Sequence, residues 1–270
     1  MFKYIAGNTI KHSINTSKKV LTSGKIPIIN YAIEETKDID RIYNEHINLI
    51  SSVGKDNKIA IKLSSFNFDN LLINKLINKA KNKNIQIVID AEKGDDFFKY
   101  QHISNELVFD NNKDKCNVVK TYQMYRKDSL HLLKEDINFF KGKNIITGNK
   151  IVRGAYWNNE NKEGYLFNNK NDTDISYNSG SLFLSENSKY SYNILATHNK
   201  ESINLGILLN KIHNKKIFDF AHLLGMREDV YNNLKSENVH VYIPYGPYKD
   251  MIPYLFRRLY ENIDTLKYMF

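Results

Sequence analysis

Eight short runs rich in β-branched residues constrain the fold of this chain more than any other feature. They alternate with longer polar stretches and occupy residues 26–31, 59–63, 85–90, 117–121, 150–154, 192–197, 217–220 and 239–244. Between them, stretches such as residues 69–82 carry apolar residues at helical spacing. Alternating strands and helices indicate βα units and a parallel sheet. Eight such units predict an α/β fold, a closed (β/α)8 barrel of the TIM type, in a single domain over residues 1–270.

Two segments at the margins of this pattern admit more than one interpretation. The first 33 residues hold five lysines and no acidic residue, as an organellar transit peptide would. Gly24 and Lys25 before the run 26–31 fit equally well the end of a helix that enters a strand. The connection 158–187 is rich in Asn, Gly, Ser and Asp and has no clear strand, which predicts a lid, a binding loop or a short-helix insertion.

Charge and cysteine content narrow the class of partner. The net charge is +9, but the basic residues are dispersed without the aromatic interleaving of nucleic-acid binders, so we expect no nucleic-acid partner. Cys116 is the only cysteine, which fits a reducing compartment rather than secretion. No second cysteine and no histidine pair stands at metal-ligand spacing, so no metal site is expected. The glycine-rich dinucleotide fingerprint is also missing.

Polar residues follow most of the predicted strands, at the edge where barrel active sites lie. Taken singly, each would more often be an ordinary capping or solvated residue. Their recurrence at six of eight strands favours a functional site. These residues are Lys62, Asp90, Glu92, Gln123, Arg153, Thr197, His198 and Tyr242.

The last segment carries the sharpest local pattern. Pro253 suits a first helical turn, and Tyr254, Arg257, Arg258 and Glu261 then fall on one helix face. Paired arginines on such a face can bind a carboxylate by charge-assisted hydrogen bonds. An exposed helix with i,i+4 ion pairs is the alternative interpretation.

Several sequence blocks resemble the proline dehydrogenases, which are flavoenzymes with a β/α-barrel fold. The segments YIPYGP at 242–247 and IPYLFRRLYEN at 252–262 are similar to the carboxyl-terminal signature of that family. The other blocks occur in the family's order and are YIAG at 4–7, IKLS at 61–64, IDAE at 89–92, TYQ at 121–123, VRGAYW at 152–157 and ATHN at 196–199.

The resemblance implies FAD-dependent oxidation of L-proline to Δ1-pyrroline-5-carboxylate, the first step of proline catabolism, with the last helix over the mouth of the barrel. Matched position by position, it implies that Lys62, Arg257 and Arg258 bind the proline carboxylate. It further implies that Asp90, Tyr242 and Tyr254 line the substrate and that Leu223 makes an apolar contact. The FAD-binding positions that it implies are Gln123, Lys150, Arg153, Gly154, Ala155, Trp157, Thr197, His198 and Glu261.

The same resemblance implies a quinone as the electron acceptor, which would suit a basic protein associated peripherally with a membrane. We expect a mitochondrial location on the matrix side, or a cytoplasmic one. The chain departs from the family at His222, where glutamine or arginine is common, and we expect a structural role for this histidine. Two other functions stay open, a flavin barrel of the methylenetetrahydrofolate reductase type and a catalytically silent barrel. The paired arginines and Tyr254 argue against the former.

Overall fold

The computed structural model describes residues 2–33, 38–155 and 164–251. Eight parallel strands close a barrel in sequence order, and β8 pairs with β1. All eight predicted strands are present, and the prediction of a TIM-type barrel is confirmed. The strands are β1 (Ile26–Tyr31), β2 (Lys58–Ile61), β3 (Gln86–Ile89), β4 (Val118–Gln123), β5 (Thr147–Val152), β6 (Ser191–Ala196), β7 (Phe218–Leu223) and β8 (Val239–Tyr245).

Helices cover the outside of the barrel in the described part of the chain. They are α1 (Ile10–Thr22), α2 (Ile39–Ser52), α3 (Asn70–Asn82), α4 (Phe97–Asn111), α5 (Ser129–Gly142), α6 (Lys170–Glu186), α7 (Lys200–Ile212) and α8 (Glu228–Tyr231). Short side chains cap several N-termini; the Asp69 carboxylate, for example, accepts a hydrogen bond from the backbone N–H of Leu72 at 3.0 Å. The predicted last helix, which would begin at Pro253 and cover the mouth, lies outside the described residues.

The beginning of the chain follows the second of its two interpretations. Helix α1 ends at Thr22, and Gly24 with φ +76° turns the chain into β1. The Ser17 hydroxyl, which is buried, donates a hydrogen bond to Asn57 Oδ1 at 2.6 Å and ties α1 to the segment before β2. The prediction of a helix that enters a strand is therefore confirmed.

The connection predicted as a lid, a loop or a short insertion contains a full helix, α6, of 17 residues. Its buried face combines Tyr177 and Leu184 with small residues, among them Ser176, Gly180 and Ser181. A Cβ at Gly180 would lie 3.1 Å from Met124 Cε, so the helix packs closely because that position carries no side chain. Abundant serine resembles a loop in sequence, and here several serines lie on the packed face of a helix.

The interior of the barrel has an apolar middle between two polar ends. The middle layer consists of Ile28, Ala60, Val88, Val119, Ile194 and Ala221, one residue from each of six strands. Below it, at the amino ends of the strands, Asp219 accepts hydrogen bonds from Tyr192 Oη, from His240 Nε2 at 2.9 Å and from Asn238 Nδ2 at 2.8 Å. These hydrogen bonds satisfy the buried carboxylate. The active sites of barrels lie at the opposite end, where the strands have their carboxyl ends.

Buried histidines make the stability of this fold sensitive to acid. Burial lowers the pKa of His46 and of His222 to about 4, from an ordinary value of 6.5, and it also lowers the pKa of His240. Below pH 6.5 the unfolded chain therefore binds protons that the folded chain does not. We expect the free energy of unfolding to fall between pH 6.5 and pH 4, by about 1.4 kcal/mol per pH unit for each of His46 and His222.

Urea denaturation at several pH values would measure this loss. His46 lies against the rings of Tyr31 and Phe66, so His46→Phe keeps an aromatic side chain there and removes one titrating group. The variant should lose less stability per pH unit than the wild type over the same window. Identical slopes for the two proteins would contradict the assignment.

Candidate active site

Four strands bring polar side chains together at the carboxyl ends of the barrel. Asp90, which follows β3, is the centre of this group. Its carboxylate accepts hydrogen bonds from Lys150 Nζ of β5 at 2.6 Å, from Tyr242 Oη of β8, and from Asn30 Nδ2 of β1 at 3.4 Å. Lys150 and Asp90 are only 6% and 13% exposed, so this ion pair is shielded from bulk water. The ion pair of Lys150 and Asp90 gives the mouth of the barrel a fixed dipole, and the two charges compensate each other.

A second cation, Arg153, follows β5 and contacts four surrounding side chains. Its guanidinium donates to Asp174 Oδ1 from Nε at 2.7 Å, to Thr197 Oγ1 from Nη1, and to Ser202 Oγ from Nη2 at 3.0 Å. The ring of Tyr177 lies 4.5 Å from Cζ. The side chain is nevertheless 22% exposed.

Lys62 follows β2, and its positive charge interacts with the buried carboxyl group of Glu92. Glu92 accepts hydrogen bonds from the backbone N–H and the hydroxyl of Ser64, both at 2.9 Å. Burial raises the pKa of Glu92, while the Lys62 cation and the Ser64 hydrogen bonds act in the opposite direction. Glu92 thus places a negative charge beside the lysine that the sequence predicts to bind a carboxylate.

Further predicted site residues lie at the ends of β4 and β5, where a hydrogen bond and the backbone conformation fix their positions. Gln123 ends β4, and its Nε2 donates to the Glu92 carbonyl at 3.1 Å. Gly154 has φ +142°, and a Cβ there would lie 2.5 Å from the Tyr125 ring, so only glycine fits. Ala155, partly exposed, is the last described residue before the gap in this segment.

The ends of β6 and β7 complete the described part of the mouth. The Thr197 hydroxyl also accepts a hydrogen bond from the backbone N–H of Asn199 at 3.1 Å, and His198 follows it half-buried. Leu223 ends β7 and is half-buried as well. His222 points elsewhere, since its Nδ1 lies 3.0 Å from the carbonyls of Leu223 and Met226. It also stacks on Tyr231 at 4.2 Å, which is the packing that a structural histidine requires.

The structure therefore brings together most of the predicted site residues that it describes, around the ion pair of Lys150 and Asp90 and the guanidinium of Arg153. Five predicted residues lie outside the described part of the chain, namely Trp157, Tyr254, Arg257, Arg258 and Glu261. No group of three metal-ligating side chains occurs among the described residues.

The comparison with known protein families identifies the family of this chain. The family model described as proline dehydrogenase matches residues 10–269. The chain belongs to the proline dehydrogenase family.

Similar proline dehydrogenases come from distant organisms. Proline dehydrogenase 1, mitochondrial, of Dictyostelium discoideum is 31% identical over 210 residues, which cover 70% of this chain and 36% of that protein. Proline dehydrogenase 2, mitochondrial, of Arabidopsis thaliana is 34% identical over 204 residues, which cover 68% of this chain and 42% of that protein. The chain thus spans well under half the length of these two relatives.

A solved structure shares the fold. Proline utilization A of Bdellovibrio bacteriovorus, inactivated by N-propargylglycine, superposes with a TM-score of 0.89 at 19% identity. The match covers 96% of this chain and 32% of that chain, so a barrel of this kind forms one part of the larger protein. At this level of identity the likeness concerns the fold alone.

Within this family assignment, sequence reasoning missed four residues of the mouth. Asp174 and Ser202 accept hydrogen bonds from Arg153, Asn178 accepts one from Ser202, and Asn30 donates one to Asp90. Asp174 and Asn178 stand four residues apart, which would have placed them on one helix face had α6 been predicted.

Proposed function

We propose that this member of the proline dehydrogenase family oxidises L-proline to Δ1-pyrroline-5-carboxylate with FAD as its cofactor. The observation that carries the proposal is the cluster of Asp90, Lys150 and Tyr242, which occupies the mouth of the barrel in a chain of that family. Barrel enzymes have their active sites at this end.

The side chains at the ends of β4, β5 and β6 suit FAD. Lys150 and Arg153 are cations, Thr197 offers a hydroxyl, and Gln123 offers an amide, all at neighbouring strand ends. A diphosphate and a flavin ring that gains negative charge on reduction both need such donors. We propose that these four residues hold the cofactor, together with Gly154, Ala155, His198 and, outside the described residues, Trp157 and Glu261.

The residues of the chain would bind and orient the substrate. Lys62, Arg257 and Arg258 would bind the carboxylate of proline, since a buried carboxylate without cationic partners would be costly. Leu223 and Tyr254 would pack against the ring. When bound, FAD supplies the acceptor for the hydride that leaves the ring carbon next to nitrogen. Positioning of this kind can lower a reaction barrier by about 7–11 kcal/mol.

The nitrogen of proline must lose its proton before a hydride can leave the neighbouring carbon. Asp90 already accepts hydrogen bonds from Lys150, Tyr242 and Asn30. We propose that Asp90 and Tyr242 fix the electrostatics of the site rather than supply an obligatory base, because hydrogen bonds already occupy both oxygens of the Asp90 carboxylate. The proton of the proline nitrogen would then pass to water.

An absorption spectrum would test the function directly. The protein purified with FAD should show flavin bands, and anaerobic L-proline should bleach them, whereas D-proline should not. L-hydroxyproline in the same assay would define the preference between the two imino acids. Bleaching by a reduced nicotinamide but not by proline would favour a barrel of the methylenetetrahydrofolate reductase type. A protein that takes up no FAD would favour a silent barrel.

The proposed acceptor is a quinone. Separately, the basic loops at the amino ends of the strands, opposite the mouth, would favour association with an anionic membrane surface. Each of the eight loops that lead into a strand carries lysine, whereas Asp56, Asp114 and Glu237 are the only acids in these loops. Near an anionic bilayer each such lysine contributes about 1 kcal/mol. Within the described residues no helix is long and apolar enough to cross a bilayer. The lysines, one from each loop, are Lys25, Lys55, Lys83, Lys113, Lys143, Lys189, Lys215 and Lys235.

We propose peripheral association on the matrix side of a mitochondrial membrane, since the relatives from Dictyostelium discoideum and Arabidopsis thaliana are named mitochondrial. Sedimentation with anionic vesicles, reversed by salt and absent with neutral vesicles, would support it. A tagged chain found in the cytosol would support the cytoplasmic alternative instead.

A further inference from the structure

The hydrogen bonds around Arg153 all run in the same direction, from its guanidinium to acceptor atoms. Nε and Nη2 both point at a single oxygen of Asp174, at 2.7 and 2.6 Å. Ser202 receives Nη2, and its own hydroxyl proton goes to Asn178 Oδ1 at 2.7 Å. Ser202 is fully buried, so its oxygen accepts from Arg153 without competition from water. Each neighbour acts as an acceptor toward the guanidinium.

The neighbours come from three separate elements. Asp174, Tyr177 and Asn178 lie on α6, Thr197 follows β6, and Ser202 lies in the first turn of α7. An arginine side chain can adopt many rotamers. The carboxylate, the two hydroxyls and the aromatic ring just named restrict Arg153 to one of them. Tyr177 covers one face of the guanidinium. A ligand can therefore contact Arg153 only through the 22% of its side chain that stays exposed.

We propose that Asp174 is the positioning residue for Arg153. Its carboxylate holds the guanidinium flat against Tyr177 and turns the exposed edge of Arg153 toward the cofactor. Ser202, oriented by Asn178, is the secondary support. The inference rests on the proposed function, because the ligand of the exposed edge is taken to be FAD. Asp174 itself acts through Arg153 and need not touch the cofactor.

A double-mutant cycle separates positioning from general damage. Asp174→Ala should weaken FAD binding by about 10-fold, which corresponds to the loss of one charge-assisted hydrogen bond. In a protein that already carries Arg153→Met, the same substitution should have almost no further effect, since Asp174 then has nothing to orient. Asp174→Asn, which keeps an acceptor oxygen, should recover most of the affinity.

The matched control is Asp172→Ala, which removes an acid from the first turn of the same helix. Asp172 Oδ2 accepts a hydrogen bond from Asn169 Nδ2, the N-cap residue, at 2.9 Å, so its carboxylate is engaged at the start of the helix and not at Arg153. FAD affinity, measured by flavin fluorescence, should stay close to wild type in this variant. An equal loss in the control, or an equal loss with and without Arg153, would overturn the proposal.

A measurement on the protein freed of FAD keeps this test independent of the cofactor. Phenylglyoxal modifies accessible arginines, and mass spectrometry can follow the peptide that contains Arg153. A guanidinium released from Asp174 should react several times faster in Asp174→Ala than in wild type or Asp172→Ala. Unchanged modification would overturn the positioning role. If modification accelerates but the wild type binds no FAD, the positioning role stands and the proposed function fails.

Discussion

Asp90→Ala should lower kcat/KM for L-proline by about 10²–10³-fold, the cost typical of removing one preorganised electrostatic group from an active site. The substitution leaves Lys150 Nζ and Tyr242 Oη, both directed at the mouth, without the carboxylate that they now share. Each would then reorient toward water or toward the substrate. Steady-state reduction of a dye by proline would measure the effect.

Two comparisons give this experiment its meaning. Asn30→Ala removes the longest of the three contacts to Asp90, at 3.4 Å, and should cost far less. The pH profile of kcat/KM for Asp90→Ala should keep the shape of the wild-type profile at a lower level. A profile that loses one of its ionisations would instead identify Asp90 as an obligatory base.

Asp136→Ala should lower the free energy of unfolding by about 3–5 kcal/mol, because it breaks a buried ion pair and leaves one charge behind. Lys120 Nζ lies 2.6 Å from Asp136 Oδ2, and Lys120 is only 1% exposed. Burial lowers the pKa of Lys120 to about 8, and the carboxylate acts against this fall. Tyr122 and Asn105 also donate to Asp136, at 2.8 and 2.7 Å, and would lose their acceptor.

Urea denaturation with a neighbouring control would test this expectation. Glu135→Ala removes an exposed acid of the same helix, which pairs with the exposed His131 at 3.1 Å, and should change stability by less than about 0.5 kcal/mol. The double variant Lys120→Met with Asp136→Leu replaces the pair by apolar side chains and should recover much of the loss. A loss of less than 1 kcal/mol in Asp136→Ala would show that water reaches Lys120.

The pattern of apolar runs was sufficient to predict the barrel, and it was weakest at the strand boundaries. β5 begins at Thr147 rather than at the predicted residue 150. Glycine and asparagine are depleted in strands, so Gly148 and Asn149 hide its start. Gly148 is nevertheless required there, since a Cβ would lie 2.4 Å from the Val118 carbonyl. Close approach between strands is a tertiary fact that periodicity does not carry.

The candidate site divides in a similar way. The strand-end residues could be predicted because carboxyl ends of barrel strands converge by geometry. The contacts among them could not, since nothing in the sequence says that Lys150 pairs with Asp90 or that Asp174 meets Arg153. Lys120 and Asp136 look like surface residues in the sequence, and only the packing of α5 on β4 places both in the interior.

The pairing of the first strand with the last one has a consequence for how the protein is made. Six residue pairs join β1 to β8, from Ile26 with His240 to Tyr31 with Tyr245. During synthesis β1 leaves the ribosome long before β8 has been made. Until then, the backbone N–H and C=O groups of β1 that pair with β8 have no strand to bind. A chain that stops before Val239 would expose unpaired edges on β1 and β7, the feature that recruits other chains into aggregates. Nascent chains of this length should therefore depend on chaperones until translation passes Tyr245.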